Sequence, residues 1–153
     1  MFTSQGRMYK LTFYEEACRV PFFVRYPIYP MGRKSDVCLN TPDITPTLLG
    51  LAGLQGLIPN EVEGMDMSPI IRGEAIKEPT FALMQSLGHT YQWKDGYEWR
   101  AVRDKRYTYA RYLRDGSELL FDRKYDPFQK KNLVHENPIP RCWLLSESRC
   151  KVR

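Results

Sequence analysis

The sequence has 153 residues and a mass of 18.0 kDa, which suits one domain or one domain with a small appendage. Hydrophobic residues make up 42% and charged residues 27%, the composition of an ordinary globular chain. A net charge of +5 is mild: it is compatible with an anionic ligand and does not by itself argue for nucleic acid. No run of eighteen apolar residues occurs, so no membrane-spanning helix is expected, and the N-terminal stretch lacks the apolar h-region of a signal peptide. The four cysteines, at 18, 38, 142 and 150, have long irregular spacings without C-x-x-C, and the two histidines, His89 and His135, lie far from any cysteine pair. Zinc is therefore not expected, and the cysteines read as free thiols.

The first informative stretch is Lys10 to Pro27. Within it, Val20 to Tyr26 is an almost unbroken run of bulky β-formers and predicts a strand buried on both faces, with Pro21 near its start. Residues 41 to 54 predict an amphipathic helix. Its start is fixed near Asp43 by Pro46, which only the first turn tolerates, and its N-cap is either Asp43 or Thr41 with Pro42 following. Ile44, Leu48, Leu51 and Ala52 are expected on one face, with Gly53 ending the helix. Residues 55 to 79 are a Gly- and Pro-punctuated connection in which Ser68 to Arg72 is expected to make one short helical turn.

Beyond a boundary near residue 75 the pattern changes. Phe81–Gln85, Trp99–Asp104, Arg106–Tyr112 and Glu118–Asp122 read as four short strands. Asp104-Lys105 and Asp115-Gly116 supply the turns between the last three. A small antiparallel sheet is predicted, with one face on a core and the other solvated. The residues from Asn137 onward have no assignable structural purpose.

Several side chains are chemical candidates. Lys10 lies just before the predicted buried strand, where a loop ammonium can hold an oxyanion; its plain alternative is a solvated surface lysine. Glu15 and Glu16 are adjacent and point apart on a helix, so one is expected to be solvated and the other paired with an arginine such as Arg19. Cys18 has no histidine nearby and reads as a small buried hydrophobe rather than a nucleophile. His89 and Trp93 stand in a Gly-flanked, aromatic-rich loop, and Trp99 follows it. Ten cationic side chains interleave with aromatics between Glu98 and Lys131, but six acidic residues, Glu98 included, sit among them. A non-catalytic polyanion- or nucleic-acid-binding module using a basic aromatic sheet is thus the alternative function, and nucleic acid is not favoured.

The residues also carry a family resemblance. Lys10 to Phe22 resembles the K-x-x-x-Y-E-x-x-x-R-V-P-F segment of type I sulfatases, which are arylsulfatase-like members of the alkaline-phosphatase-like superfamily. Thr41-Pro42-Asp43-Ile44-Thr45-Pro46-Thr47-Leu48-Leu49 is similar to the family's V-D-I-x-P-T-L-L helix start. Glu63 to Pro69 resembles its E-G-x-S/D-L-x-P turn. Trp99 to Tyr109 resembles its W-R-A-V-R-x-x-R-Y-K-Y hairpin, and Leu119 to Leu133 its E-L-Y-D-x-x-x-D-P-x-E-x-x-N-L segment. Five such pieces, in the family's order, cover about residues 4 to 138.

The resemblance implies an α+β fragment: the end of an alkaline-phosphatase-like α/β/α domain (1–75), then a four-stranded antiparallel subdomain (76–138) and an atypical tail (139–153). It implies the C-terminal portion of a sulfuric ester hydrolase, a parent that hydrolyses sulfate esters with formylglycine and calcium. Both of those sites are missing here. The C/S-x-P-S-R motif that yields formylglycine is absent, since Cys18-Arg19-Val20-Pro21 places the proline one position late and lacks the Ser-Arg. Met1 to Gly6 resembles the M-L-G-S-Q-G that follows the family's metal ligands, so no metal site is expected in this chain, and the isolated chain is expected to be inactive. Of the sulfate contacts only the lysine before Y-E is present, as Lys10. His89, Trp93 and Trp99 are weaker candidates for the border of the substrate cleft. The implied substrate is a sulfated small molecule or carbohydrate, with carbohydrate, aryl and choline sulfates as the alternatives. Relatives are often periplasmic, secreted or lysosomal. Self-association through the Val20–Tyr26 strand is a further expectation.

Overall fold

The computed structural model describes residues 3–6, 10–28, 32–86 and 98–136. The described elements are three short α-helices, α1 (Glu15–Cys18), α2 (Ile44–Leu51) and α3 (Ser68–Arg72), and four strands, β1 (Ala82–Gln85), β2 (Trp99–Arg103), β3 (Tyr107–Tyr112) and β4 (Glu118–Asp122). The chain divides into two compact units, Met1–Pro21 with Leu83–Arg153, and Phe22–Ala82. The sheet unit therefore also takes in the segment around Lys10, which the sequence boundary near residue 75 had grouped with the helix.

The four strands form one meander in the order β1-β2-β3-β4, with β2/β3 and β3/β4 antiparallel. Aspartates make the turns. The Asp104 Oδ1 accepts the backbone N–H of Arg106 (2.6 Å) and of Tyr107 (2.5 Å), and the Asp115 Oδ1 accepts the N–H and hydroxyl of Ser117 at 2.9 and 2.7 Å. Such Asx bonds supply locally what a tight reversal otherwise leaves unpaired. In register, Ala101 faces Ala110 and Ala110 faces Leu119. The two small side chains leave room for Phe13, which is 1% exposed and forms a cluster with Trp99, Ala101, Ala110 and Phe121. Its ring meets Trp99 and Tyr112 edge-on at 5.4 and 5.9 Å, the geometry that aromatic quadrupoles favour.

The opposite face differs from the expectation of a solvated one. Val102, Tyr109 and Leu120 lie in one cross-strand row and are all buried, so the centre of the sheet is covered on both sides. A phenol buried in this way needs a partner, and the Tyr109 hydroxyl finds one at 2.9 Å in the Glu118 carboxylate.

In the second unit, Asp43 holds the N-cap position of α2 without a side-chain cap bond, and Asn40 caps the 3-10 turn before it. The Asn40 Oδ1 accepts the Thr41 N–H (2.9 Å), and its own N–H donates to the Asp43 carboxylate (2.7 Å), a capping box around a 3-10 turn at Thr41–Asp43. The helix ends as expected: Gly53 has φ +73°, its N–H reaches the Gly50 carbonyl, and the Leu54 N–H reaches Leu49, a Schellman arrangement that glycine permits without strain.

Of the predicted apolar face of α2 only Leu51 is buried. Asp43, Pro46, Thr47, Gly50 and Leu51 are buried, whereas Leu48 is 54% exposed and Ala52 also faces out. The reason is a close, hydrogen-bonded approach by residues 64–68. The Met65 N–H donates to Asp43 (2.8 Å) and the Met67 N–H to Thr47 (2.9 Å), and Gly64 lies so near Pro42 that a Cβ would collide with its carbonyl. Small and polar side chains suit that contact better than leucine.

Residues 20 to 26 form no strand. A strand needs a neighbouring backbone for its N–H and C=O groups, and the described sheet contains only β1 to β4. The apolar run is instead exposed, Phe23 to 90%, while the Tyr26 hydroxyl donates to the Leu51 carbonyl at 2.9 Å.

The Gly64 contact is backbone against backbone, so it cannot be relieved by a side-chain rotation. Gly64→Ala is expected to destabilise the chain by about 1–3 kcal/mol, the usual cost of overpacking, read as a lower urea midpoint with an unchanged slope.

Candidate functional site

The segment Lys10 to Cys18 is fastened to the sheet residue by residue. Lys10 is exposed. Leu11 follows in the left-handed region at φ +72°, and its carbonyl accepts the indole N–H of Trp99 at 3.1 Å. Thr12 is buried; its hydroxyl oxygen accepts the Tyr14 N–H (3.2 Å) and its carbonyl accepts the Cys18 thiol (3.0 Å). Phe13 fills the core, Tyr14 lies 5.8 Å from Phe121, and the Glu15 N–H donates to the Gln129 Oε1 at 2.7 Å. Gln129 is buried at φ +52°, and its carbonyl accepts from the Gln5 side chain at 3.1 Å.

Charge fixes the other end of the segment. The Glu15 carboxylate is gripped by Arg103 through Nε (2.6 Å) and Nη2 (3.2 Å), with Arg123 Nε at 3.6 Å. Burial works to raise the Glu15 carboxyl, but the hydrogen bond and charge of Arg103, then the charges of Arg123 and Arg19, outweigh it and hold the group below its ordinary 4.5. Glu16 is exposed. The split between one paired and one solvated glutamate is as expected, but the hydrogen-bonded partner is Arg103, 88 residues away, and Arg19 acts only through its charge. Cys18 is not activated: burial, then the Glu15 charge, pushes its thiol up to about 11, so it is protonated at neutral pH.

Trp99, a candidate for the border of the substrate cleft, is 6% exposed within the core; its link to Lys10 runs through the Leu11 carbonyl. His89 and Trp93 lie outside the described residues. The basic stretch is largely committed to acids. Arg103 and Arg123 serve Glu15, and Arg106 holds Asp122 bidentately at 2.6–3.1 Å. Arg106 hydrogen bonding is what chiefly draws the Asp122 carboxyl below its ordinary value. Arg111 stands 3.9 Å from Glu118. With these pairings and with both sheet faces covered, the open basic aromatic platform of the alternative function is not present among the described residues.

Gln129 and the Trp99 indole escaped the sequence reading because their partners are 114 and 88 residues away, beyond any local pattern. The one sequence signal was that Gln129 occupies the glutamate position of D-P-x-E-x-x-N-L. Among the described residues no group of three or more His, Cys, Asp or Glu could hold a metal ion. The described residues thus do not fit a calcium centre, which takes six to eight oxygens.

A family model described as the C-terminal region of N-sulphoglucosamine sulphohydrolase matches residues 5–142. The chain belongs to this sulfatase C-terminal family. It is 36% identical over 123 residues to an ulvan-active sulfatase of Formosa agariphila, covering 79% of this chain and 24% of the relative. Against an endo-4-O-sulfatase of Bacteroides thetaiotaomicron it is 38% identical over 134 residues, covering 78% and 26%. Among solved structures, a 2-O GAG sulfatase superposes with a TM-score of 0.59 at 33% identity, covering 76% of this chain and 25% of that one. The chain therefore spans about a quarter of the length of the relatives it matches, and its sheet and short helices are those of a sulfatase C-terminal region.

Losing the Glu15 carboxylate should weaken this sulfatase region at its most highly charged contact. Glu15→Gln is expected to cost about 1.5–3 kcal/mol, the range for charge-assisted hydrogen bonds. Because the folded carboxyl sits below its unfolded value, the unfolded state binds the extra proton, and stability falls with falling pH. The contribution should be complete above pH 4.5 and be lost as pH drops through the lower folded value. Urea titrations at stepped pH should show that acid slope in the wild type and a flatter one in Glu15→Gln.

Proposed function

We propose that this chain is the C-terminal part of a sulfuric ester hydrolase acting on sulfated carbohydrate, and that Lys10 is its sulfate contact. The observation that carries the reading is the placement of Lys10: an exposed ammonium at the head of a segment that is immobilised at nearly every following position through Glu15. A lysine held in this way presents three N–H donors and a full positive charge to an oxyanion. The carbohydrate class is supported by the relatives, one active on ulvan and one an endo-4-O-sulfatase.

The family chemistry uses formylglycine as nucleophile and calcium as Lewis acid. The described residues supply neither a calcium site nor an activated nucleophile, so sulfate-ester cleavage is not assigned to this chain acting alone. The part assigned to it is to bind and orient one sulfate oxygen. The exposed apolar run at Val20, Phe22, Phe23 and Val24 supports self-association of the isolated chain, since uncovered apolar surface of this kind favours contact between molecules.

Alone, the chain is expected to turn over an aryl sulfate no faster than its Lys10→Ala variant and to bind no calcium specifically in calorimetry. Mixed with the ulvan-active sulfatase truncated before its own C-terminal quarter, it is expected to restore hydrolysis of ulvan oligosaccharides. Lys10→Ala should lower kcat/KM in that mixture by about 10–100-fold, the equivalent of one charge-assisted hydrogen bond. Full activity with Lys10→Ala, or no restoration with the wild type, would contradict the proposal. In sedimentation the isolated chain should run larger than 18.0 kDa, and a monodisperse monomer would count against self-association.

A further inference from the structure

We infer that Trp99 is a positioning residue for Lys10, acting through the strained backbone of Leu11. The inference rests on the reading of Lys10 as a sulfate contact and adds how that lysine is aimed.

Leu11 has φ +72°, a region that sterics close to nearly all residues with a Cβ except as isolated, compensated cases. Its side chain does not supply the compensation, because it is half exposed at 48%. The carbonyl does. It accepts the Trp99 indole N–H at 3.1 Å, and the next two residues, Thr12 and Phe13, are buried. The donor is itself rigid: Trp99 opens β2, its backbone N–H donates to the Ser86 hydroxyl at 3.2 Å, and its ring is seated edge-on against Phe13 at 5.4 Å. If Leu11 relaxed to an ordinary helical φ of about −63°, the chain before it would rotate by about 135° and carry the Lys10 ammonium with it. Backbone strain held in place by surrounding structure is characteristic of functional sites. Here the strained residue adjoins the one exposed charge to which a sulfate role is given. Trp99 touches neither the sulfate nor the reacting atoms in this account.

Nuclear magnetic resonance on the full, isotopically labelled chain tests it, with sodium sulfate as the probe and sodium chloride at equal ionic strength as the control. Trp99→Phe keeps an aromatic ring in the core and removes the N–H donor together with the second ring; the Leu11 variants below separate the lost bond from the lost volume. Couplings and chemical shifts of Leu11 should show the residue leaving the left-handed region in this variant. The sulfate-induced shift of the Lys10 side chain should fall severalfold. Adding Leu11→Gly should restore that response, because glycine occupies positive φ without needing the bond; a purely structural role for the indole predicts no such rescue. Leu11→Val, at a half-exposed position that leaves the core intact, should reproduce the loss, since a β-branched residue resists positive φ. If Leu11 keeps φ near +72° in Trp99→Phe, or if Leu11→Val leaves the Lys10 response unchanged, the positioning role is overturned. If instead the wild-type Lys10 ignores sulfate while Leu11 still responds to Trp99→Phe, the sulfate assignment fails and the indole's hold on the loop stands.

Discussion

The ring of Phe13 seated over Ala101 and Ala110 is the contact on which the sheet unit depends. A four-stranded meander needs at least one covered hydrophobic face to offset the ordering of its strands. On this face the cover comes from a segment nearly ninety residues earlier in the chain. Burying a phenylalanine contributes about 1.5–3 kcal/mol, and the edge-on contacts with Trp99 and Tyr112 add to it. The packing works because β2 and β3 place alanine opposite alanine at that point; a larger residue at either position would close the space. Once Phe13 is seated, Leu11 on one side and Tyr14 and Glu15 on the other are brought to the sheet, where each finds the partner that holds it, and Lys10 stays exposed beside Leu11.

Electrostatics then restrict what this surface can do. A stretch with ten cations and several aromatics invites the idea of a polyanion platform. The fold spends four of those arginines on three carboxylates: Arg103 and Arg123 on Glu15, Arg106 on Asp122, and Arg111 near Glu118. Arg103 and Arg106 are forked onto their carboxylates, which already satisfies the geometry they would offer a phosphate or sulfate. Lys10 is the contrast, exposed at the edge of the same construction. The contrast is therefore between arginines held beside carboxylates in the scaffold and the exposed lysine for which a sulfate contact is proposed.

The second unit shows that burial is decided by what approaches a helix as much as by the helix pattern. In α2 the apolar stripe faces out at Leu48, while Asp43, Thr47 and Gly50 are buried. These residues accept backbone N–H groups or allow the segment at 64–68 to come close. A buried carboxylate such as Asp43 is tolerated because it accepts from both Asn40 and Met65. The uncovered leucine and the bare run at Phe22 to Val24 are apolar surfaces of the kind that other polypeptide covers in a longer protein.

By itself the sequence determined the family, the α+β class, the four strands to within about a residue, their aspartate turns and the helical spans near 43–53 and 68–72, of which the first is observed at 44–51. These are local matters: alternation, turn chemistry, proline and glycine positions, and motifs read in order act over a few residues and do not wait for a partner. It also singled out Lys10 from its place before Tyr14-Glu15. The tertiary structure alone decided the pairing of Glu15 with Arg103, the link from Trp99 through Leu11 to Lys10, and the support of Glu15 by Gln129. It also decided which face of α2 is buried and that Val20 to Tyr26 forms no strand. Each of those outcomes depends on a group brought from far along the chain, or on the lack of a neighbouring strand among the described residues, and neither leaves a periodic trace in the residues that respond to it.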